Sequence, residues 1–183
     1  GNIPLPRNCH SITTMINKFY LVGGYGTGSR GSSEILVYDT AGNHWERPVV
    51  AGIVPVERYS HSCSAVGSQL VLFGGFSFDG QWLSDIHVLD TGRLSILELN
   101  CAEYVQPFFP KVVAQSQSKL ALSMMMWYQP EISGLFNHEK TPAGMPPCPR
   151  AAHSATVVDH RLFIFAGNDG ISLFNDLHIL DFR

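Results

Sequence analysis

The sequence predicts an all-β protein assembled from repeated four-stranded antiparallel sheets. Three observations predict it. The composition is turn-rich and β-prone, with 17 Gly and 11 Pro beside 11 Phe and 6 Tyr, and helical periodicity is persuasive nowhere. The chain matches itself in three places. Each copy carries a short run that is apolar on both faces, as a strand covered by neighbouring sheets must be. The 183 residues suit one domain, and 45% hydrophobic against 15% charged residues makes a packed core feasible.

The repeats set the architecture. RNCHSITTMINKFYLVGGY from Arg7 aligns with RYSHSCSAVGSQLVLFGGF from Arg58 at an offset of 51 residues, and the same offset carries LVYDT, ending at Thr40, onto HVLDT, ending at Thr91. A third copy, RAAHSATVVDHRLFIFAGND, starts at Arg150 and is followed by NDLHILD ending at Asp181. The lead-ins AGIVPVER and AGMPPCPR extend the match backward. Periods of this length with glycine and aromatic landmarks mark propeller blades.

Within a unit the elements follow in order. In the second copy, His61 to Val66 forms a strand that ends at a Gly67-Ser68 turn, Gln69 to Phe73 forms the next and is closed by Gly74-Gly75, and Asp85 to Asp90 forms the third. The fourth strand is clearest in the first copy, where Trp45 follows a turn over Thr40 to His44. No strand is expected to exceed ordinary globular length. Repeat units are placed at 7–50, 55–99 and 142–183 within a single propeller region spanning 1–183. The stretch 101–140 is read as a degenerate unit, with an insertion or a junction of two chain pieces as the other readings, because Pro107, Pro110 and Pro130 interrupt it. Leu120 to Trp127 suits a buried strand or two helical turns.

These units resemble kelch repeats, whose signature is a double glycine after the second strand, a tyrosine late in the third and a tryptophan in the fourth. Gly23, Gly24, Tyr38 and Trp45 match in the first copy, and Gly74, Gly75 and Leu89 in the second, where Ile96 falls at the tryptophan position. The third copy has Ala166-Gly167 for the glycine pair. The P-x-x-R-x-x-H-S lead-in is similar to that of the longer-loop members. The resemblance implies a kelch-type β-propeller, or a partial propeller, since such rings commonly hold five to seven blades and at most four are counted here. Chain segments not present here, or another chain, would then complete the ring, unless four blades close by themselves.

The glycine pairs are expected where positive φ or close backbone approach excludes a Cβ. Gly23 to Gly28 is glycine-rich, but neither Lys-Ser nor Lys-Thr follows it and no helix is predicted after it, so phosphate binding is not expected. His10, His61 and His153 recur once per unit, each followed by Ser, and are read as structural histidines donating to backbone or to the aspartate ending the third strand. Asp39, Asp90 and Asp181 read as turn acceptors. Arg58 and Arg150, with Arg7 as counterpart, either fasten backbone carbonyls or meet an acidic partner at the rim.

The loops between second and third strands carry the candidate partner-binding residues: Tyr25 and Arg30 in the first unit, Phe76, Phe78, Gln81 and Trp82 in the second, Asn168 and Asp169 in the third, together with Arg58 and Arg150. Exposed aromatics beside arginine have the composition of a protein interface. For Phe76, Trp82 and Phe174 the competing reading is a loop anchor folded over its own sheet. The leading expectation is a protein-protein interaction module that recruits or scaffolds a protein or peptide, of acidic or polar character. The alternatives are an enzymatic kelch-like propeller, such as a metal-dependent oxidase, and a purely architectural subunit. The spread of Cys9, Cys63, Cys101 and Cys148 offers no metal or Tyr-Cys motif, so neither cofactor, metal nor catalytic residue is expected. A formal charge of -3 excludes the basic field that nucleic acid requires. The absence of a leader, of a long apolar run and of paired cysteine spacing points to an intracellular protein, cytoplasmic or nuclear, away from membranes.

Overall fold

The computed structural model describes residues 3–26, 34–94, 124–130, 136–137 and 146–182. They form three twisted sheets. The first has β1 (Ser11–Met15), β2 (Lys18–Val22), β3 (Ile35–Asp39) and β4 (His44–Glu46) in that order, all antiparallel. The second holds β5 (Val49–Gly52), β6 (Arg58–Tyr59), β7 (Ser62–Val66), β8 (Gln69–Ser77), β9 (Trp82–Leu94) and β10 (Met124–Tyr128). The third holds β11 (Phe136–Asn137), β12 (Ser154–Val158), β13 (Arg161–Phe165) and β14 (Leu177–Asp181), in the order β11-β14-β13-β12. The described residues are all-β, a partial propeller of three stacked sheets whose strand pairs are antiparallel apart from the parallel β5–β10 pair, with β7 packed against both β1 and β12.

Period-2 alternation explains why the middle sheet is apolar on both faces. Leu70, Leu72, Leu89 and Trp127 face the first sheet, where they bury Tyr20, Val22, Ile35 and Val37. Val71, Phe73, Ile86 and Val88 point the other way and pack on Leu162, Ile164 and Leu180 of the third sheet. Leu72 and Ile164 are 1% and 0% exposed, as their repeat positions require.

Two strand assignments differ from the sequence reading. The fourth strand of the second sheet is β10, in which Trp127 pairs with Leu89 as Trp45 pairs with Tyr38. The tryptophan of this unit therefore lies at 127 rather than near Ile96, and Met124–Tyr128 completes the second sheet instead of belonging to a separate degenerate one. The remainder of 101–140, Gln129, Pro130 and β11 apart, lies outside the described residues. In addition, β9 runs for 13 residues and β8 for 9, longer than expected, because pairing resumes beyond the glycine pair through a register shift between Phe73 and Gly75.

The joints between sheets are built from the same repeat positions. Gly24 N–H donates to the Arg58 carbonyl at 3.1 Å, and Gly75 N–H to the Arg150 carbonyl at 2.8 Å. A Cβ on Gly75, whose φ is +100°, would stand 2.8 Å from the Tyr59 carbonyl, so glycine is obligatory there. Cys9, Ser60 and Ala152 occupy one repeat position and all adopt positive φ, at 51°, 54° and 54°. That conformation lets Ser60 N–H reach the Cys9 carbonyl and Ala152 N–H reach the Ser60 carbonyl, both at 2.9 Å, which offsets its cost.

Candidate interaction face

Each unit is fastened around its lead-in arginine. Arg58 Nε donates to the Val56 carbonyl at 3.0 Å and its NH1 to the Gly74 carbonyl at 3.1 Å, while NH1 and NH2 fork onto Asp85 at 2.5 and 2.7 Å. Arg150 repeats this with the Cys148 and Ala166 carbonyls and with Asp176. The two residues are 1% and 0% exposed. This corrects their place among the partner-binding residues: all three nitrogens of each guanidinium are hydrogen-bonded within the unit, and neither guanidinium reaches the rim. Arg7 has the same backbone bonds to Leu5 and Gly23, but its contact with Glu34 is looser, at 3.9 Å.

The acidic partners Asp85 and Asp176 had a signal in the sequence, the repeated D-x-H at the start of the third strand, that was not read as functional. His87 and His178 close the arrangement on them at 3.0 and 2.9 Å. Burial alone would raise the Asp85 carboxyl, but the Arg58 fork and His87 outweigh it and hold it well below the usual carboxylate range. The Arg150 fork does the same for Asp176 against a smaller desolvation.

For His61 and His153 the side-chain partner is a serine of a neighbouring sheet rather than the aspartate that ends the third strand. His61 Nε2 meets Ser11 Oγ and His153 Nε2 meets Ser62 Oγ, each at 2.9 Å, so each H-S pair supplies a histidine to the preceding sheet and a serine to the next. Neither ring reaches the aspartate that ends the third strand. Burial, reinforced by the Arg58 charge, pushes the His61 ring down to about 3, and burial with Arg150 pushes His153 down to about 4. Asp39 and Asp90 are turn acceptors, taking backbone N–H groups of Ala41, Gly42 and Gly92 at 2.8 Å.

The loops gather a line of rings. Tyr25 packs edge-on against Tyr59 with centroids 4.9 Å apart, and Tyr59 meets Phe76 at 5.6 Å and Phe78 at 5.3 Å. Phe76 meets Trp82 at 4.8 Å, and Gly170 of the third unit lies so close that an added Cβ would sit 2.8 Å from the indole. Tyr25 and Trp82 thus lie on one side of the molecule, joined by Tyr59, a residue missed in the sequence because it sits on the lead-in rather than on a loop. Trp82 is half-buried and bridges two units, whereas Phe174 folds back under the Arg150 guanidinium at 4.4 Å. Asn168 and Asp169 cap their own turn by accepting backbone N–H groups of Gly170, Ile171 and Ser172. Gln81 is exposed, with its N–H on Ser77 Oγ. Arg30 lies outside the described residues.

Exposed apolar groups on this side include Tyr25 and Phe78, and the third-unit turn adds Ile171 and Leu173, at 96% and 89% exposure. A shallow cleft of about 440 Å³ opens between the second lead-in and the β8–β9 turn, lined by Val54, Pro55, Val56, Glu57, Phe78 and Asp79. Among the described residues no group of three or more His, Cys, Asp or Glu is arranged to hold a metal ion. No helix of the described residues is long and apolar enough to cross a membrane.

Comparison with known proteins agrees with this architecture. The family model of the KLHDC2/KLHL20/DRC7 Kelch-repeats domain matches residues 1–108. Acyl-CoA-binding domain-containing protein 5 of Arabidopsis thaliana is 27% identical over 175 residues, covering 95% of this chain and 21% of that protein. Tip elongation aberrant protein 1 of Schizosaccharomyces pombe is 27% identical over 180 residues, covering 97% and 12%. Host cell factor 1 of Homo sapiens is 26% identical over 194 residues, covering 100% and 8%. The chain spans between 8% and 21% of the length of these relatives. With the glycine-pair joints, the arginine fasteners and the family model in agreement, the chain belongs to the kelch-repeat family.

Proposed function

We propose that this chain is a protein-interaction module that recruits or scaffolds a protein partner through its loop face. The observation that carries the reading is the ring line from Tyr25 through Tyr59 and Phe76 to Trp82, with Phe78 branching from it half exposed. Aromatic side chains offer large contact area at small entropic cost, and fixed rings in mutual contact are preorganised for a partner. Ile171 and Leu173 extend the apolar surface. Kelch-repeat propellers are a protein-interaction fold, which supports the same reading. Free thiols at Cys9, Cys63 and Cys148 favour a reducing, intracellular setting. The test is photo-cross-linking from positions 78 and 158 in the protein expressed in its own cells. Cross-links to a partner are expected from position 78. Cross-links confined to position 158, on the outer face of the third sheet, would overturn the reading in favour of an architectural role.

The outer face of the third sheet supports a second element, completion of the ring by a further sheet of the same kind. Phe163, Phe165, Leu177 and Ile179 stand at the repeat positions of Val71, Phe73, Ile86 and Val88, which are 0–4% exposed, yet Phe165 is 48% and Leu177 40% exposed. Ser154 Oγ, Gly167 N–H and the Ala152 carbonyl have no partner among the described residues, whereas Ser62, Gly75 and Ser60 use the same groups to hold the next sheet. The Ala166 methyl requires the incoming carbonyl to stand back slightly, since a Cβ at Gly23 or Gly74 falls within 2.8 Å of it. A cysteine at position 165 of the whole protein is expected to resist maleimide, and rapid labelling of the folded protein would refute completion.

A further inference from the structure

Resting on the loop-face reading, we infer that the cleft beside Phe78 takes a cationic side chain, Lys or Arg, from the partner segment. Its walls are fixed from beneath. Pro55 is buried, the Val56 carbonyl is held by Arg58 Nε at 3.0 Å, and Phe78 leans on Tyr59 at 5.3 Å. Opposite, Ser77 N–H bonds to the Gln81 carbonyl at 2.9 Å and Gly80 N–H to the Ser77 carbonyl at 3.1 Å, which sets the turn that carries Asp79.

The charge on this cleft is of one sign. Glu57 and Asp79 both line it, both are exposed, and neither has an ion-pair or hydrogen-bond partner among the described residues. The adjacent cation, Arg58, is turned inward and neutralised by Asp85. The partner therefore meets two carboxylates flanking an apolar floor of Val54, Val56 and Phe78, not the basic rim that the lead-in arginines suggested. A long cationic side chain matches both parts: its methylenes lie along Val56 and the Phe78 ring, and its charged end lies between the carboxylates. An acidic segment would be repelled, which reverses the character expected from the sequence.

The test uses fluorescein-labelled nonapeptides that differ only at the central position, Arg, Lys, citrulline or Glu, between two leucines, titrated against the protein by anisotropy at low and high salt. Arg and Lys peptides are expected to bind about tenfold more tightly than the citrulline peptide, with the Glu peptide weaker still, and the preference should shrink as salt rises. The E57Q/D79N variant, both of whose changes are on the exposed surface, should erase the preference while keeping the urea midpoint of the parent. Equal binding of Arg and citrulline peptides, an unaltered preference in E57Q/D79N, or no binding of any peptide overturns the inference. Persistence of the position-78 cross-link alongside any of those results would leave the loop-face reading standing, and its loss would remove both.

Discussion

Replacing Arg58 with Met keeps much of the aliphatic volume and removes all the N–H donors of the guanidinium. Four hydrogen bonds disappear, those to the Val56 and Gly74 carbonyls and the fork on Asp85. Breaking a buried pair by removing one partner costs about 3–5 kcal/mol. The Asp85 side chain is 28% exposed and keeps His87, so water relieves part of its loss and the lower figure of about 3 kcal/mol applies. In urea, with a slope of about 2 kcal/mol/M, the midpoint should fall by about 1.5 M when unfolding is followed by tryptophan fluorescence. Arg7→Met is the internal control, because its carboxylate contact is stretched to 3.9 Å, and should cost about 1 kcal/mol. Adding Asp85→Leu to R58M should recover part of the loss, with a coupling above about 1 kcal/mol. A midpoint for R58M within about 0.3 M of the parent, or equal shifts for R58M and R7M, would refute the fastening role.

Other outcomes follow from the same geometry. Leu72→Ala, at a site 1% exposed between two sheets, should cost about 2–4 kcal/mol without changing the denaturant slope, and a loss below about 0.5 kcal/mol would contradict the packing. Because the folded His61 ring is depressed from 6.5 to about 3, the unfolded chain alone takes up its proton as pH falls from 6.5 towards 3, so this stability is full above 6.5 and declines below it. His61→Gln should therefore flatten the loss between pH 6.5 and pH 4 by up to about 3 kcal/mol, read from denaturation curves across that range, and an unchanged slope would count against a buried neutral ring. Gly75→Ala should destabilise by well over 2 kcal/mol while Gly67→Ala costs about 1 kcal/mol, since both have positive φ but only the first meets backbone; differential scanning calorimetry separates them.

Much of the blade was legible because its signals are local. The alternation in Leu70 to Phe73, the turn after Asp39 and the glycine pairs all act within a few residues, and an offset of 51 repeats them. The arginines were harder to read: the sequence offered a fork of donors, and only the Asp85 and Asp176 carboxylates, 27 and 26 residues away, decide that it points inward. The second-unit tryptophan was misplaced for a related reason, since residues 95–123 separate β9 from β10 and carry no periodic mark of the return.

What the sequence by itself determined is the repeating unit, its strands and the need to cover both of their faces, because backbone geometry and side-chain alternation are settled between neighbours in the chain. What the tertiary structure decided is which groups meet across the joints: His61 with Ser11, His153 with Ser62, and Tyr59 between the rings of two units. Those partners are 50 and 91 residues apart in the two histidine joints, so no local pattern encodes them. Burial of the arginines follows from the same stacking, and among the described residues it leaves the loop face to aromatic rings and the Glu57 and Asp79 carboxylates.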